Sequence, residues 1–437
     1  MTTRSGGFRD RQLGPTLSHA ARHPFYRDHW TRYLGTPGAT DDAWALLAAL
    51  PPTERRHLSE DISPMLDDGD EIVGVGFSSG STGSAMTRYF TARERTLAGA
   101  FAKATTGGPA TGAVRPLRLD FVSTWHGVGG VDTSGAVRVP GTVVDDEHVE
   151  RTIQMLRKRF TAPGVASRVS MLSGGVVGIH AFTRYLVDNG VPVSDFAVGV
   201  VGLFGGYPGR RRRAWLGEYW QCAVIDSFSV SECRGKALVC PNCRCLEFDP
   251  QLVAQAIALD SHELVTAGTA RLAVTELYPF GIAQPIVKYL TGDLVEVLDE
   301  TSACRPDHVG GLRRVGRVET SITASVDGTA TVLVPSQVLY DAFDRQGVCR
   351  ADFRSTLSGL TVNDLAQPHV HASLSEVGGT LRLQCRYRPD DSGVDCATDA
   401  LAALRSWPAA RALADRGRLV IDVVADPATA PPRAKFA

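Results

Sequence analysis

The sequence predicts an α/β protein with a large N-terminal domain of mixed and parallel sheets over residues 1–317 and a small α+β domain over 318–437. Three observations carry this reading. Residues 196–204 are apolar on both faces, Gly205-Gly206-Tyr207-Pro208 breaks the run, a helix through Trp215 and Tyr219 follows, and 222–225 turns apolar again. Strand, turn, helix and strand in that order make a parallel unit, because a strand covered on both faces has no polar positions to alternate. From Arg271 onward short β-segments succeed one another at 271–277, 285–290 and 294–298. In the tail, Val370, Ala372 and Leu374 alternate, Gly378-Gly379 turns the chain, and Leu381, Leu383 and Cys385 alternate again, a hairpin pattern. A helix over 399–415 and a strand over 419–424 complete the small domain.

The remaining elements follow in order. Residues 1–20 are polar and rich in Gly and Arg, and are expected to be poorly ordered. His23-Pro24-Phe25-Tyr26-Arg27-Asp28-His29-Trp30 predicts a helix with an aromatic core face, and a second helix over 43–50 stops at Pro51-Pro52. Ile72-Val73-Gly74-Val75 is β-branched and predicts a short strand. Val149, Ile153, Leu156 and Phe160 recur at helical spacing, so 147–160 is an amphipathic helix. Residues 425–432, rich in Pro and Ala, form a flexible lead-in to Lys435.

Bulk properties exclude several classes. With 46 basic and 47 acidic residues the net charge is −1, so no global field favours nucleic acid or a membrane surface. No apolar run reaches the ~20 residues that span a bilayer, and the first residues lack a signal-peptide core. Nine cysteines, four of them crowded between 233 and 245, fit free thiols or a metal in a reducing cytoplasm better than a disulfide framework.

The chemistry concentrates in separated segments. After the 72–75 strand come Gly76-Phe77-Ser78-Ser79-Gly80-Ser81-Thr82-Gly83-Ser84-Ala85, small or hydroxylated almost throughout. Such a loop lets backbone N–H groups and hydroxyls close around a polyphosphate. No Gly-Lys-Ser/Thr follows, so it is not the lysine-containing phosphate loop. Further on come Asp226-Ser227-Phe228-Ser229-Val230-Ser231-Glu232, then Lys288-Tyr289-Leu290-Thr291-Gly292-Asp293, Gly316-Arg317, and Lys435. The arginine run 210–213 has no aromatic interleaving, which favours a helix surface over a nucleic-acid contact.

In this order the segments resemble the motif set of the adenylate-forming (AMP-forming acyl ligase) superfamily, with its phenylacetate–CoA ligase branch nearest. The resemblance runs from about residue 23 to 435 and implies a mobile C-terminal domain. It implies that Ser78, Ser79, Gly80, Ser81, Thr82 and Gly83 hold ATP phosphates, and that Gly206, Tyr207 and Pro208 lie against adenine. Phe228 would stack on adenine, Asp226 would face its edge, Ser231 would touch phosphate, and Glu232 would hold Mg²⁺. Asp293 would accept the ribose hydroxyls, Arg317 would reach the ribose at the hinge, and Lys435 would bridge carboxylate and α-phosphate. Trp125, His126 and Gly174 are where the acid pocket is expected. Several positions depart from the pattern: Tyr207 stands for a glutamate, Ser229 for a glycine, and Lys288 and Leu290 for arginines. The implied activity is ATP-dependent adenylation of a carboxylic acid, by analogy an aryl acid, with transfer to CoA, a carrier-protein thiol or an amine. A non-catalytic ATP- or AMP-binding protein that keeps this fold is the alternative. The resemblance implies no nucleic-acid or membrane partner, and a homodimer is compatible with it.

Cys233, Cys240, Cys243 and Cys245 follow Glu232 directly, spaced C-x6-C-x2-C-x-C. Four thiolates suit the tetrahedral preference of a closed structural zinc site, with His262 as substitute should Cys245 point away.

Overall fold

A computed structural model describes residues 7–34, 42–59, 63–66, 71–77, 86–97, 114–121, 136–143, 146–344, 368, 370–389 and 396–429. Four helices open the chain: α1 (Phe8–Ala20), α2 (Pro24–Leu34), α3 (Ala43–Ala49) and α4 (Arg55–Ser59). The expectation of a poorly ordered start is corrected by α1. Leu13, Leu17 and Ala20 share one helical face and are buried, and Arg9 Nη2 donates to the Phe248 carbonyl at 2.9 Å. In α2, Tyr26 and Trp30 are buried, and the Tyr26 hydroxyl donates to the Pro285 carbonyl at 2.8 Å.

Strands β1 (Ile72–Phe77) and β2 (Thr87–Thr91) pair antiparallel, with Phe77 opposite Thr87, and so bracket the serine loop. Next come β3 (Arg115–Phe121), β4 (Val137–Gly141), helix α5 (Asp146–Arg157), β5 (Val165–Gly175), α6 (Val176–Asp188), β6 (Val200–Phe204), α7 (Arg210–Trp220), β7 (Ala223–Ser229), β8 (Lys236–Val239) and β9 (Leu246–Phe248). The seven strands β3–β9 form one sheet in the order β4-β3-β5-β6-β7-β8-β9. Neighbours from β4 to β7 are parallel, and β7-β8-β9 continue antiparallel. The apolar stripe of α5 (Val149, Ile153, Leu156) and the buried residues of α6 and α7 close over the parallel part.

A second sheet is antiparallel: β10 (Leu252–Ile257), β11 (Gly268–Glu276), β12 (Tyr289–Val297) and β13 (Leu312–Arg317). Of the segment read at 285–290 only Tyr289 and Leu290 are strand, and they run on into the segment read at 294–298 as β12; residues 285–288 are not strand. Arg271 faces Leu294 while Ala273 faces Leu290, so Thr291-Gly292-Asp293 bulges out of the ladder, with Gly292 at φ 79°. Helices α1–α3 pack on this sheet.

The remainder comprises the hairpin β14 (Ile322–Val326) and β15 (Thr329–Val334), helix α8 (Ser336–Phe343), strands β16 (Val370–Val377) and β17 (Thr380–Tyr387), helices α9 (Ala397–Ser406) and α10 (Pro408–Asp415), and β18 (Leu419–Ala425). The hairpin pattern holds in register, with Leu374 opposite Leu383. The single helix expected over 399–415 is two helices. Pro408 lacks an N–H and keeps Trp407 extended, at φ −67° and ψ 130°. A third core joins α8, β16–β18, α9 and α10. Among the described residues no helix is long and apolar enough to cross a membrane.

Candidate functional site

One row of residues crosses the carboxyl ends of four parallel strands: Phe121 faces Gly174, Gly174 faces Leu203, and Leu203 faces Asp226. The chain runs from β3 out to β4 and returns past it to β5, so the winding reverses between β3 and β5. Ligands of open α/β sheets gather outside such strand ends. Gly174 is buried, and a Cβ there would meet Phe121 Cβ at 2.8 Å, so its bareness lets β3 and β5 close up. Trp125 and His126, a few residues beyond β3, lie outside the described residues, as do Ser78, Ser79, Gly80, Ser81, Thr82, Gly83 and Lys435.

Asp226, midway along β7 at its last parallel pairing with β6, is buried and accepts from Arg244 Nη2 at 2.6 Å. Burial pushes its carboxyl above the usual range, and Arg244 opposes this. Two residues on, the Phe228 ring has the Arg314 guanidinium 5.4 Å from its centroid. Arg314 Nε in turn donates to Asp293 Oδ1 at 2.8 Å. The β12 bulge therefore delivers Asp293 to the edge that β7 reaches. Arg317 faces Asp293 across β12 and β13, its N–H donates to Ser336 Oγ at 2.9 Å, and its Nε is buried without a hydrogen-bond partner among the described residues. A Cβ on Gly292 would stand 3.1 Å from Arg317 Nη2, so glycine leaves that guanidinium its place.

Ser231 and Glu232 share a small cleft with Met86, Thr87, Arg88, Gln284 and Ile286. Glu232 Oε1 accepts from the Tyr289 hydroxyl at 3.0 Å, and burial lifts its carboxyl above the usual range. Arg88, fully enclosed, donates to the Glu232 carbonyl and pairs with Glu276. The serine loop's far strand is thus tied to the Glu232 segment by a buried cation.

Gly206, Tyr207 and Pro208 follow β6 as expected, but Tyr207 points at the C-terminal elements. Its hydroxyl donates to Asp341 on α8, and its ring lies edge-on to Tyr340. Lys288 turns away from Asp293: its Nζ donates to the carbonyls of Ala48 and Leu50 at 2.7 and 2.6 Å, at the C-terminal end of α3.

The expected four-cysteine set is corrected. Cys240 and Cys243 come together with Cys304 and His308, their ligand atoms all within 4.8 Å of one another. Cys233 is instead buried in the first core, where burial raises its thiol pKa well above the usual value. Cys245 packs under Gly311, where a Cβ would meet its Sγ at 2.6 Å. His262 is exposed and near Arg271. The x6 spacing places Cys233 before β8 and Cys240 after it, at opposite ends of the strand, and the turn at Arg244, φ 65°, separates Cys245 from Cys243. Arg244, Arg314, Cys304 and His308 were not singled out from sequence, and Tyr289 enters there only as part of the Asp293 motif, with no role of its own. Only Cys304-x3-His308 had a local signal, a metal-ligand spacing.

No protein-family model matches the sequence, and no curated protein matches it. Solved structures do. An open conformation of 2-hydroxyisobutyryl-CoA ligase in complex with 2-HIB-AMP and CoA aligns with a TM-score of 0.64 at 16% identity, covering 97% of this chain and 89% of that one. ATP-bound MatB from Rhodopseudomonas palustris gives 0.52 at 10% identity over 83% and 65% of the two chains. A benzoate CoA ligase from Burkholderia xenovorans LB400 gives 0.51 at 11% identity over 84% and 68%. The chain has the fold of the adenylate-forming acyl-CoA ligases.

Proposed function

We propose that this chain is an AMP-forming acid ligase. A carboxylate oxygen attacks the α-phosphorus of ATP, pyrophosphate leaves, and the acyl group passes from AMP to the thiol of CoA. The observation that carries this reading is the meeting of Asp226, Phe228, Arg314, Asp293 and Arg317 at one edge, on a fold whose solved examples include complexes with ATP, acyl-AMP and CoA.

Joining two anions sets a largely electrostatic barrier, so fixed donors around the phosphates supply most of the catalysis. In this proposal the serine loop 78–83 and Ser231 supply those donors, and Phe228 and Gly206 to Pro208 enclose the base. Asp293 accepts from the ribose, and the buried Nε of Arg317, which has no hydrogen-bond partner among the described residues, is a donor that fits a ribose or phosphate oxygen. Glu232 fits Mg²⁺, since one carboxylate beside substrate phosphates is a common way to hold it. Bound there, the ion neutralises phosphate charge. Lys435 bridges the carboxylate and the α-phosphate, and residues 318–437 act as the lid that brings it in. The acid pocket lies beyond β3 and β5, around Trp125, His126 and Gly174, and takes an aromatic acid. The protein works in the cytoplasm.

Pyrophosphate release measured with Mg²⁺, ATP and a panel of aromatic and short hydroxylated acids tests this. Release that needs both the acid and Mg²⁺ is expected. ATP binding without acid-dependent release across the panel would favour the alternative, a nucleotide-binding protein without turnover.

A further inference from the structure

We propose that Cys240, Cys243, Cys304 and His308 hold one zinc ion in a closed site that ties the two sheets together and sets the backbone aiming Arg244 at Asp226. The proposal is independent of the activity put forward above.

The distances have the scale of a metal tetrahedron. Sulfur–sulfur separations are 3.5 Å for Cys240–Cys304 and 3.3 Å for Cys243–Cys304, and His308 Nδ1 stands 3.0 Å from Cys243 Sγ and 3.5 Å from Cys304 Sγ. Zinc–sulfur bonds of about 2.3 Å give sulfur–sulfur edges of about 3.8 Å in a regular tetrahedron. The three sulfurs are much too far apart for a disulfide, about 2.05 Å. Three thiolates and one imidazole are a donor set that zinc accepts as a complete shell, so the site is structural and offers no open position.

A second observation points the same way. His308 presents Nδ1 to the sulfurs, and its other ring nitrogen, Nε2, lies 3.1 Å from Glu247 Oε1. A carboxylate behind a histidine fixes the ring and strengthens it as a ligand. Arg305 Nη2 donates to the same Glu247 oxygen at 2.9 Å and also lies against His308 Nε2, so carboxylate, guanidinium and imidazole meet behind the ring.

The connections explain why a small domain region needs the ion. Cys240 to Cys243 form the turn between β8 and β9, at the antiparallel end of the seven-stranded sheet. Cys304 and His308 sit in the connection between β12 and β13 of the four-stranded sheet. One ion therefore fastens two loops sixty residues apart in sequence. Within the turn, the Arg244 N–H donates to the Cys240 carbonyl at 3.1 Å and the Cys240 N–H to the Cys245 carbonyl at 2.9 Å. Those bonds hold Arg244 at φ 65°, a conformation costly for a residue with a Cβ, and from there its guanidinium reaches Asp226.

The test uses the full chain, purified under reducing conditions without chelator. Metal analysis should find about one zinc per chain, and cobalt(II) exchanged into the site should show the visible bands of a tetrahedral thiolate complex. Cys304→Ser and His308→Ala should each lose zinc or the cobalt bands, while Cys233→Ser and Cys245→Ser should keep both. Glu247→Gln, which leaves every ligand in place, should weaken zinc retention against a competing chelator roughly 10–100-fold. Zinc-free protein that neither takes up cobalt nor melts lower after chelation would overturn the proposal. So would zinc that survives in Cys304→Ser but leaves in Cys245→Ser, or a Cys243–Cys304 disulfide found by mass spectrometry in reduced preparations.

Discussion

The Tyr207 hydroxyl donates to Asp341 Oδ2 at 2.6 Å, tying the turn after β6 to helix α8 across 134 residues of sequence. The Arg210 N–H donates to the other Asp341 oxygen at 3.1 Å, and Arg212 pairs with Asp344, the residue that caps the C-terminal end of α8, at 2.8 Å. Burial and Asp341 push the Tyr207 pKa up, so this hydroxyl remains a donor at any ordinary pH. A double-mutant cycle of Tyr207→Phe and Asp341→Asn, read by urea unfolding, should return a coupling of about 1–3 kcal/mol. Additive single effects would mean that the bond contributes nothing.

Gly209 sits where that latch closes. Its φ is 71°, and a Cβ would come within 2.5 Å of Asp344 Oδ2 and 2.7 Å of Tyr340 Cε1. Asp344 cannot retreat, being held by Arg212. Gly209→Ala should therefore cost about 2–4 kcal/mol from strain and overlap together, and a shift in the urea midpoint measures it.

His180 on α6 supplies a pH dependence. Burial, with Arg212 and Arg184 nearby, holds its pKa down to about 3 against an ordinary 6.5, and its ring lies 5.2 Å from that of Trp215. Between those two values the unfolded chain takes up a proton that the folded chain refuses. The contribution is therefore fully present above pH 6.5 and is lost as the pH falls toward 3. The slope is at most about 1.4 kcal/mol per pH unit. Urea midpoints of His180→Phe, measured from pH 6.5 down to 4, should fall less steeply than those of the parent; parallel curves would contradict the assignment.

Much of this was legible in the residues, for definable reasons. Alternation at 370–385 read as a hairpin because each sheet face meets a different environment. The order of the serine loop, Asp226–Glu232, Asp293 and Arg317 indicated a fold now matched by solved structures. What stayed hidden depends on pairing. Arg314 and Arg244 are ordinary surface arginines by sequence, and only the β12–β13 register and the turn before β9 bring them to Asp293 and Asp226. Cys304 and His308 lie sixty residues from Cys240, and crowding near 233 drew attention to the wrong sulfurs. Helix α1 was obscured by polar composition, although Leu13, Leu17 and Ala20 carry its spacing. The Pro408 break was readable from the proline alone.

Two lysines separate fold from chemistry. Lys288 Nζ satisfies two carbonyls at the end of α3, and burial lowers its pKa to about 8. Lys288→Met leaves both carbonyls without that donor and should destabilise the protein by about 2–3 kcal/mol, with pyrophosphate release per folded molecule retained. Lys435→Ala should do the reverse, leaving the urea midpoint in place and depressing adenylation far more than ATP affinity. Unchanged adenylation in Lys435→Ala would remove that residue from the mechanism.

Asp293 and Arg314 form the pair on which the nucleotide reading can be tested most sharply. Asp293 has 3% and Arg314 14% of its side chain exposed, so the pair is largely out of water. Removing the cation strands a buried carboxylate, and Arg314→Ala should cost about 3–5 kcal/mol of stability. Asp293→Asn keeps size and an acceptor oxygen but loses the charge. If the carboxylate also receives the ribose hydroxyls, a charge-assisted bond of about 1.5–3 kcal/mol disappears, which is roughly a 10–150-fold weaker hold on ATP. Equilibrium binding of ATP to Asp293→Asn measures this directly, and binding of a ribose-free triphosphate supplies the control. A variant that loses affinity for ATP but not for the triphosphate places the ribose at the β12 bulge. Equal loss for both, or none, means that Asp293 serves only to hold Arg314 over Phe228.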